Sequence, residues 1–228
     1  MGNYTSVPTV FHILPFSDKT DSTAYVFSFL TIIYLLGVFL NVMIVTLVFW
    51  DKRLHSPMYL FLCNLSFVDL CFTTTIIPKL LHIMSSGNHN VSFGQCFTQV
   101  YFFLLAGLSE DLLLFTMAYD RYVAICRPLH YHSLMSRKVC AVCVVSIWCY
   151  AAVNSCLVTV LTMKMSFCHS TTIHHFSCDA KALTRISCAG KELLYLVIYI
   201  EAFIIGFGPF LCSFWSYAKI LQVISYKI

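Results

Sequence analysis

The chain alternates between long apolar stretches and short polar segments. Two stretches, Tyr25 to Trp50 and Val139 to Met163, contain no Asp, Glu, Lys or Arg. Each is long enough to cross a bilayer core of about 30 Å as a helix that rises about 1.5 Å per residue. Three more are interrupted by isolated charges, at Pro57 to Met84, Phe97 to Ala118 and Leu193 to Ser216. The pattern predicts five membrane-spanning helices (spans one to five) at about residues 25–50, 57–84, 97–120, 139–163 and 193–218.

The composition also indicates a membrane protein. The chain is 59% hydrophobic and 11% charged, whereas a soluble domain is about half apolar and about a quarter charged. We therefore predict an all-α membrane fold with one transmembrane domain over residues 1–228. An N-terminal segment at 1–24 precedes span one, and a loop at 164–192 (the cysteine loop) joins spans four and five. The net charge of +4 is spread over the loops, so we expect membrane lipid and no nucleic acid as a partner.

The first residues match two modification patterns that require opposite sides of the membrane. Met1 to Ser6 fits the loose pattern for myristoylation of Gly2. Asn3-Tyr4-Thr5 is a glycosylation sequon. The first apolar run is too long for a cleavable signal peptide, so span one is interpreted as an uncleaved targeting segment. The orientation of the chain must decide between the two modifications.

Charge and cysteine both favour an N-terminus outside the cell. In that orientation eight basic residues fall inside and six outside, a slight bias in the expected direction. Cys168, Cys178 and Cys188 in the cysteine loop share a side with Cys96, which precedes span three. Four thiols there indicate an oxidising compartment, and the sequence alone allows three pairings. We therefore expect a glycan at Asn3 and no myristoylation.

Three polar residues are predicted to lie at one depth in the bundle. With the helices antiparallel, Asn41, Asp69 and Glu110 lie roughly 14, 18 and 16 Å from the same edge of the membrane, at about 1.5 Å per residue. An ionised acid near the midplane is costly, so it should face the interior and share a proton, water or cation. One interpretation is a hydrogen-bonded packing cluster. The other is a hydrated site whose ion or proton occupancy differs between two states.

A second group of residues suggests a ligand pocket nearer the outer end of the bundle. Phe103, Leu104, Gly107 and Leu108 are at helical spacing in span three and form one wall. Glu201, in the outer half of span five, comes to a similar depth and is harder to explain by packing alone. The alternative is a stripe that packs against neighbouring helices.

A charged triplet, Asp120-Arg121-Tyr122, closes span three. Core packing gives no reason for Asp and Arg to be adjacent at the end of a membrane-length helix. The pair suits a conformational switch, in which the cation is held by its neighbour in one state and released in another. The run Met117 to Cys126 resembles the cytoplasmic end of the third helix of rhodopsin-like G-protein-coupled receptors. Its extension through Arg127 to Tyr131 resembles the olfactory (odorant) receptor version.

The resemblance to odorant receptors covers nearly the whole chain. The polar residues around Asn41, Asp69 and Glu110 match positions where members carry a buried network. Further matching segments are Leu54 to Tyr59, Pro78 to Leu80, His175 to Asp179, Pro209 and Ser216-Tyr217. Family members continue beyond the equivalent of Ile228 through a third inner loop and two more spans. The resemblance thus implies a helical bundle of the seven-helix receptor type, with the first five helices in this chain.

The family also implies roles for individual residues. It implies odorant binding among spans three, five and six, and activation of a stimulatory G protein at the inner face. Arg121 would be the switch, restrained by Asp120, with Tyr217 as its active-state partner. Tyr59 and the loop from Cys126 to Tyr131 would meet the G protein.

The resemblance further implies a location, two disulfides and an ion. It places the protein in the plasma membrane and pairs Cys96 with Cys178 and Cys168 with Cys188. A sodium ion near Asp69 and Glu110 is the one cofactor it suggests. The 228-residue chain alone is expected not to signal, because the moving helix of the family lies beyond Ile228.

The sequence leaves three other function classes open. Buried acids would suit the proton or ion relay of a transporter or channel, but the chain has no internal repeat and no matched pair of Gly/Pro-broken spans. No Ser-His-Asp or metal set is arranged for an enzyme. His169, His174, His175 and Cys178 would be a zinc cluster of unusual spacing. A truncated product that misfolds or pairs with complete receptors is a further possibility.

Overall fold

Five long apolar helices dominate the structure, which is a computed structural model that describes residues 9–14, 20–167 and 171–227. The prediction of five spans is therefore confirmed. Spans one to four are the helices Thr20–Trp50, Pro57–Ser86, Phe93–Cys126 and Arg137–Met163. Span five consists of an α-helix at Glu192–Glu201, a π-helical segment at Ala202–Phe207 and an α-helix at Gly208–Lys227.

Local sequence signals determine where several helices begin and end. Span three begins at Phe93, four residues earlier than predicted, because Ser92 and Gln95 form a capping box that satisfies its first backbone N–H groups. The Ser136 side chain caps span four in a similar way by accepting from the Val139 N–H. Span two starts with Pro57 and ends at Gly87, whose φ of 65° favours glycine.

Short helices join the spans. Those in the described residues are the 3₁₀ turns Lys52–Leu54 and Pro128–His130 and the α-helices Tyr131–Leu134 and Ala180–Ile186.

The N-terminal segment contributes a strand that the sequence analysis did not predict. Strand β1 (Val10–Ile13) lies between β2 (Asn90–Ser92), to which it is antiparallel, and β4 (Thr172–Ile173), to which it is parallel. Strands β3 (Ser166–Phe167) and β5 (Ser187–Ala189) form a second, two-stranded sheet within the cysteine loop. Part of the N-terminal segment therefore belongs to the folded structure.

Two buried clusters hold the bundle together. One lies at the end of the bundle that carries Cys96 (the disulfide end) and contains Phe11, Ile13, Phe97, Leu183 and Leu194. The other lies towards the end that carries Arg121 (the Arg121 end) and contains Phe61, Val68, Leu113, Met135 and Ile147. Much of the remaining apolar surface of the spans is exposed, 84% for Trp50 at the end of span one, as expected of helices whose outer faces contact lipid.

Candidate functional site

A disulfide ties the cysteine loop to span three. Cys96 and Cys178 are bonded, fully buried and 5.3 Å apart between Cα atoms, which is the pairing that the family resemblance implies. Cys188 is also disulfide-bonded. Its expected partner Cys168 lies outside the described residues, as does Asn3, so the second pairing and the glycan stay predictions.

Gln99, which the sequence analysis missed, reinforces this junction. Its side-chain N–H donates to the Thr75 carbonyl of span two at 2.9 Å, and its side-chain oxygen accepts from the Cys178 backbone N–H at 3.0 Å. One amide thus joins two spans and the cysteine loop. A polar Gln in an apolar stretch of span three was the sequence signal, and its partners are 24 and 79 residues away.

The N-terminal strand closes the disulfide end. Phe11 is 0% exposed and contacts the rings of Phe93, Phe97 and Phe167 at centroid distances of 6.2, 6.3 and 5.5 Å. The Ile13 N–H donates to the His89 carbonyl at 2.9 Å, and the Leu14 N–H donates to the Ile173 carbonyl at 2.9 Å. The strand therefore covers the bundle together with the cysteine loop.

The predicted pocket wall is half-buried. Phe103 contacts Phe72 of span two at a centroid distance of 5.1 Å, and Leu104 packs against the cluster at the disulfide end. Gly107 and Leu108 are also half-buried. A cavity of about 360 Å³ between spans three and five lies closer to the Arg121 end. Its lining includes Asp111, Phe115, Ile205, Pro209 and Tyr217.

Glu201 faces span four. Its Oε1 is buried without a hydrogen-bond partner among the described residues. Asn154 lies within hydrogen-bonding range of the carboxyl group, and Tyr150 lies within electrostatic range of it. Both belong to span four. Glu201 is also the last residue before the π-helical segment, a distortion that is common at functional sites.

The structure brings together two of the three midspan polar residues. Asp69 and Glu110 are half-buried and lie within electrostatic range of each other, and Asp111 is also within range of Glu110. The Asn41 amide instead donates to the Gly37 carbonyl of its own helix at 3.1 Å.

The described part of the chain contains no group of three His, Cys, Asp or Glu side chains that could hold a metal ion. Cys178 cannot serve as the zinc ligand that was considered, because its sulfur is in the disulfide with Cys96. His169 lies outside the described residues.

At the Arg121 end, Asp120 is held by the loop that follows span three. Asp120 is only 1% exposed. Its carboxylate accepts a hydrogen bond from the Tyr131 hydroxyl at 2.9 Å. Burial and this bond raise the pKa of Tyr131 to about 12. Asp120 and Arg121 both lie in the described part of the chain and form no ion pair there. The expected restraint of Arg121 by Asp120 is therefore not present in this conformation.

Of the other two switch residues, Tyr122 contacts span five and Tyr217 belongs to it. The Tyr122 ring contacts Trp215 at a centroid distance of 5.3 Å. Tyr217 is about half exposed and lines the cavity between spans three and five. The end of span three and span five are thus in contact at the level of the charged triplet.

Comparison with known proteins gives one consistent result. A family model described as "7 transmembrane receptor (rhodopsin family)" matches residues 40–227. Olfactory receptor 1f45 of Rattus norvegicus is 41% identical over 218 residues, which cover 96% of this chain and 69% of the relative. Olfactory receptor 1500 of the same species is 44% identical over 214 residues, which cover 94% of this chain and 65% of the relative. Olfactory receptor 1E2 of Gorilla gorilla gorilla is 41% identical over 211 residues, which cover 92% of this chain and 67% of the relative.

Proposed function

Because the chain belongs to the rhodopsin family of seven-transmembrane receptors, and within it to the olfactory receptors, we propose that it contributes to binding a small odorant and activating a stimulatory heterotrimeric G protein. The observation that carries the proposal is the 41% identity to an olfactory receptor over 96% of this chain. The odorant is a small volatile or water-borne molecule. The chain is a multi-pass membrane protein, and its proposed role is binding and coupling, not catalysis. The relatives do not favour a transporter or channel.

The proposed orientation puts the N-terminus and the disulfide end outside the plasma membrane. The Cys96–Cys178 bond supports it, because disulfides form in oxidising compartments. The Arg121 end then faces the cytoplasm, where the G protein binds. Asn3 would carry its glycan on the outer side.

Arg121 is the proposed contact through which activation reaches the G protein. Its neighbour Asp120 is occupied by Tyr131, which leaves the guanidinium available to another acceptor. Tyr217 of span five is the proposed partner in the active state. The bond to Tyr131 also fixes the end of the loop from Cys126 to Tyr131, which is proposed to meet the G protein.

Two sites are proposed inside the bundle. The odorant would contact Phe103, Leu104, Gly107 and Leu108 of span three, and Glu201 would help to set which odorants bind. A sodium ion near Asp69 and Glu110 is proposed from the family resemblance. Carboxylate oxygens suit a hard cation, and the proximity of these two acids fits such an ion.

The test joins residues 1–228 to the C-terminal third of rat olfactory receptor 1f45 and records cyclic AMP in cells exposed to an odorant panel. The unextended chain serves as the comparison, and surface expression of both is measured. We expect a response from the joined receptor and none from residues 1–228 alone, because opening of the cavity requires a moving helix. Surface-expressed joined receptor without a response to any odorant would contradict the proposal.

A further inference from the structure

An apolar cleft of about 310 Å³ lies where spans one, two and four meet at the Arg121 end. It is separate from the pocket wall and from the charged triplet. Its lining includes Phe49, Leu54, His55, Leu60, Cys63 and Arg137. Phe49 is 73% exposed on the outer face of span one, so the cleft adjoins the surface that contacts lipid.

The cleft has a positive rim and an apolar floor. Arg137 is exposed, and its guanidinium has no hydrogen bond or ion pair within the described ranges. Lys52 and Arg53 directly precede the lining residue Leu54, and Lys138 follows Arg137. The acid of this region, Asp51, accepts a hydrogen bond from the Arg53 backbone N–H at 2.9 Å. Arg137 therefore brings a positive charge to the apolar surface of the cleft, and the other basic residues are its neighbours in the sequence.

His55 is part of the wall of the cleft, and its ring is held by the backbone of span one. Its Nε2 lies 3.1 Å from the Val48 carbonyl, which can only accept, so Nε2 carries the proton and donates. Arg137 is the lining residue with a permanent positive charge, so it is suited to hold an anionic group.

We propose that this cleft binds an anionic phospholipid of the cytoplasmic leaflet. The headgroup phosphate contacts Arg137, and an acyl chain lies against Leu54, Leu60 and Cys63. The cytoplasmic leaflet is rich in anionic lipid and attracts basic residues near the membrane surface, and guanidinium matches phosphate geometry. The assignment to this leaflet rests on the orientation given under Proposed function.

The experiment measures lipid retained by the purified chain. Protein in detergent is incubated with phosphatidylserine or with phosphatidylcholine of the same acyl chains, and bound lipid is counted by native mass spectrometry. We expect phosphatidylserine to be preferred. Arg137→Gln should weaken its binding about fivefold, the effect of one basic residue near an anionic surface. Leu60→Trp, which fills the cleft and keeps its charge, should weaken the binding of both lipids.

Lys219→Gln is the matched control, since it removes one exposed charge at the same end of the bundle but from span five. It should leave lipid binding unchanged. Equal losses in Lys219→Gln and Arg137→Gln, equal binding of the two lipids, or unchanged binding in Leu60→Trp would each overturn the proposal. Peptide mapping of the Cys96–Cys178 bond confirms that each variant is folded.

Lipid binding does not depend on odorant response, so the two proposals fail separately. Protease protection in sealed vesicles provides the orientation. If the Arg121 end were outside, the lipid would be assigned to the wrong leaflet, and the inference would be overturned while the family membership stood.

Discussion

The Asp120 carboxylate is almost fully buried and depends on Tyr131 for its hydrogen bond. The Asp-Arg-Tyr triplet could be recognised from the sequence, because a charged group at the end of an apolar helix is unusual. The partner could not, because Tyr131 lies in a separate short helix whose position depends on packing. The same holds for Glu201, whose neighbour Asn154 belongs to another span.

Tyr131→Phe is expected to destabilise the protein by about 1–3 kcal/mol, since it leaves a buried carboxylate oxygen without its donor. Tyr119→Phe is the control, because the Tyr119 hydroxyl makes no hydrogen bond within the described residues. Thermal unfolding in detergent measures both. Equal melting temperatures for the two variants would contradict this role.

The same bond predicts a pH dependence. Because the folded-state pKa of Tyr131 is raised to about 12 and the unfolded value is about 10, its stabilising contribution is complete below pH 10. It is lost as the pH rises towards 12, when the unfolded state ionises first. The stability advantage of the wild-type protein over Tyr131→Phe should therefore shrink between pH 10 and 12. If the stability difference between the wild-type protein and Tyr131→Phe stays constant from pH 10 to 12, the pKa of Tyr131 is not raised by folding.

Glu201→Gln is expected to separate two odorant classes in the joined receptor. A carboxylate that pairs with a cationic ligand is lost in this variant, whereas a hydrogen-bond donor is kept. Responses to amines should disappear and responses to alcohols, aldehydes or ketones should remain. Glu192→Gln, at the exposed start of span five, is the control. Unchanged potency for both classes would mean that Glu201 serves only the contact with span four.

At the scale of elements, the five spans followed from length and apolarity, whereas the strands did not. A membrane helix satisfies its own backbone hydrogen bonds and can be read locally. Strand β1 pairs His12 with Thr172, 160 positions along the sequence, and such long-range pairing has no local signature beyond alternation. The burial of Phe11 and Ile13 is thus a result of the fold.

Phe11→Ala should test whether the strand is part of the stable structure. Removing a fully buried aromatic side chain costs about 3–5 kcal/mol, and it would weaken the cover over the disulfide end. Val10→Ala is the control on the same strand, because Val10 is 38% exposed. Thermal unfolding and protease cleavage near residue 14 are the measurements. Equal melting temperatures and equal cleavage rates for the two variants would show that the strand contributes little to stability.

At the scale of the whole molecule, the disulfide end and the Arg121 end differ in their chemistry. One carries a buried disulfide, two small sheets and an aromatic cluster, and the other carries the charged triplet and basic loops. The sequence predicted this division from the cysteines and the basic residues. It could not predict how the cysteine loop is covered, since that depends on β1.

The orientation predicts a glycan on Asn3. Glycosidase treatment should increase the electrophoretic mobility of the protein, and Asn3→Gln should abolish the shift. Gly2→Ala, which blocks myristoylation but keeps the sequon, is the control and should still shift. Incorporation of myristate at Gly2 would reverse the orientation.

The most direct test of the receptor assignment is the effect of Arg121 on coupling in the joined receptor. Odorant-evoked cyclic AMP is recorded for the unmodified receptor, for Arg121→Gln and for Arg185→Gln, an exposed arginine at the disulfide end. We expect Arg121→Gln to lose most of the response, because the proposed contact with the G protein is removed, and Arg185→Gln to keep it. A full response from surface-expressed Arg121→Gln would contradict the proposed role of Arg121.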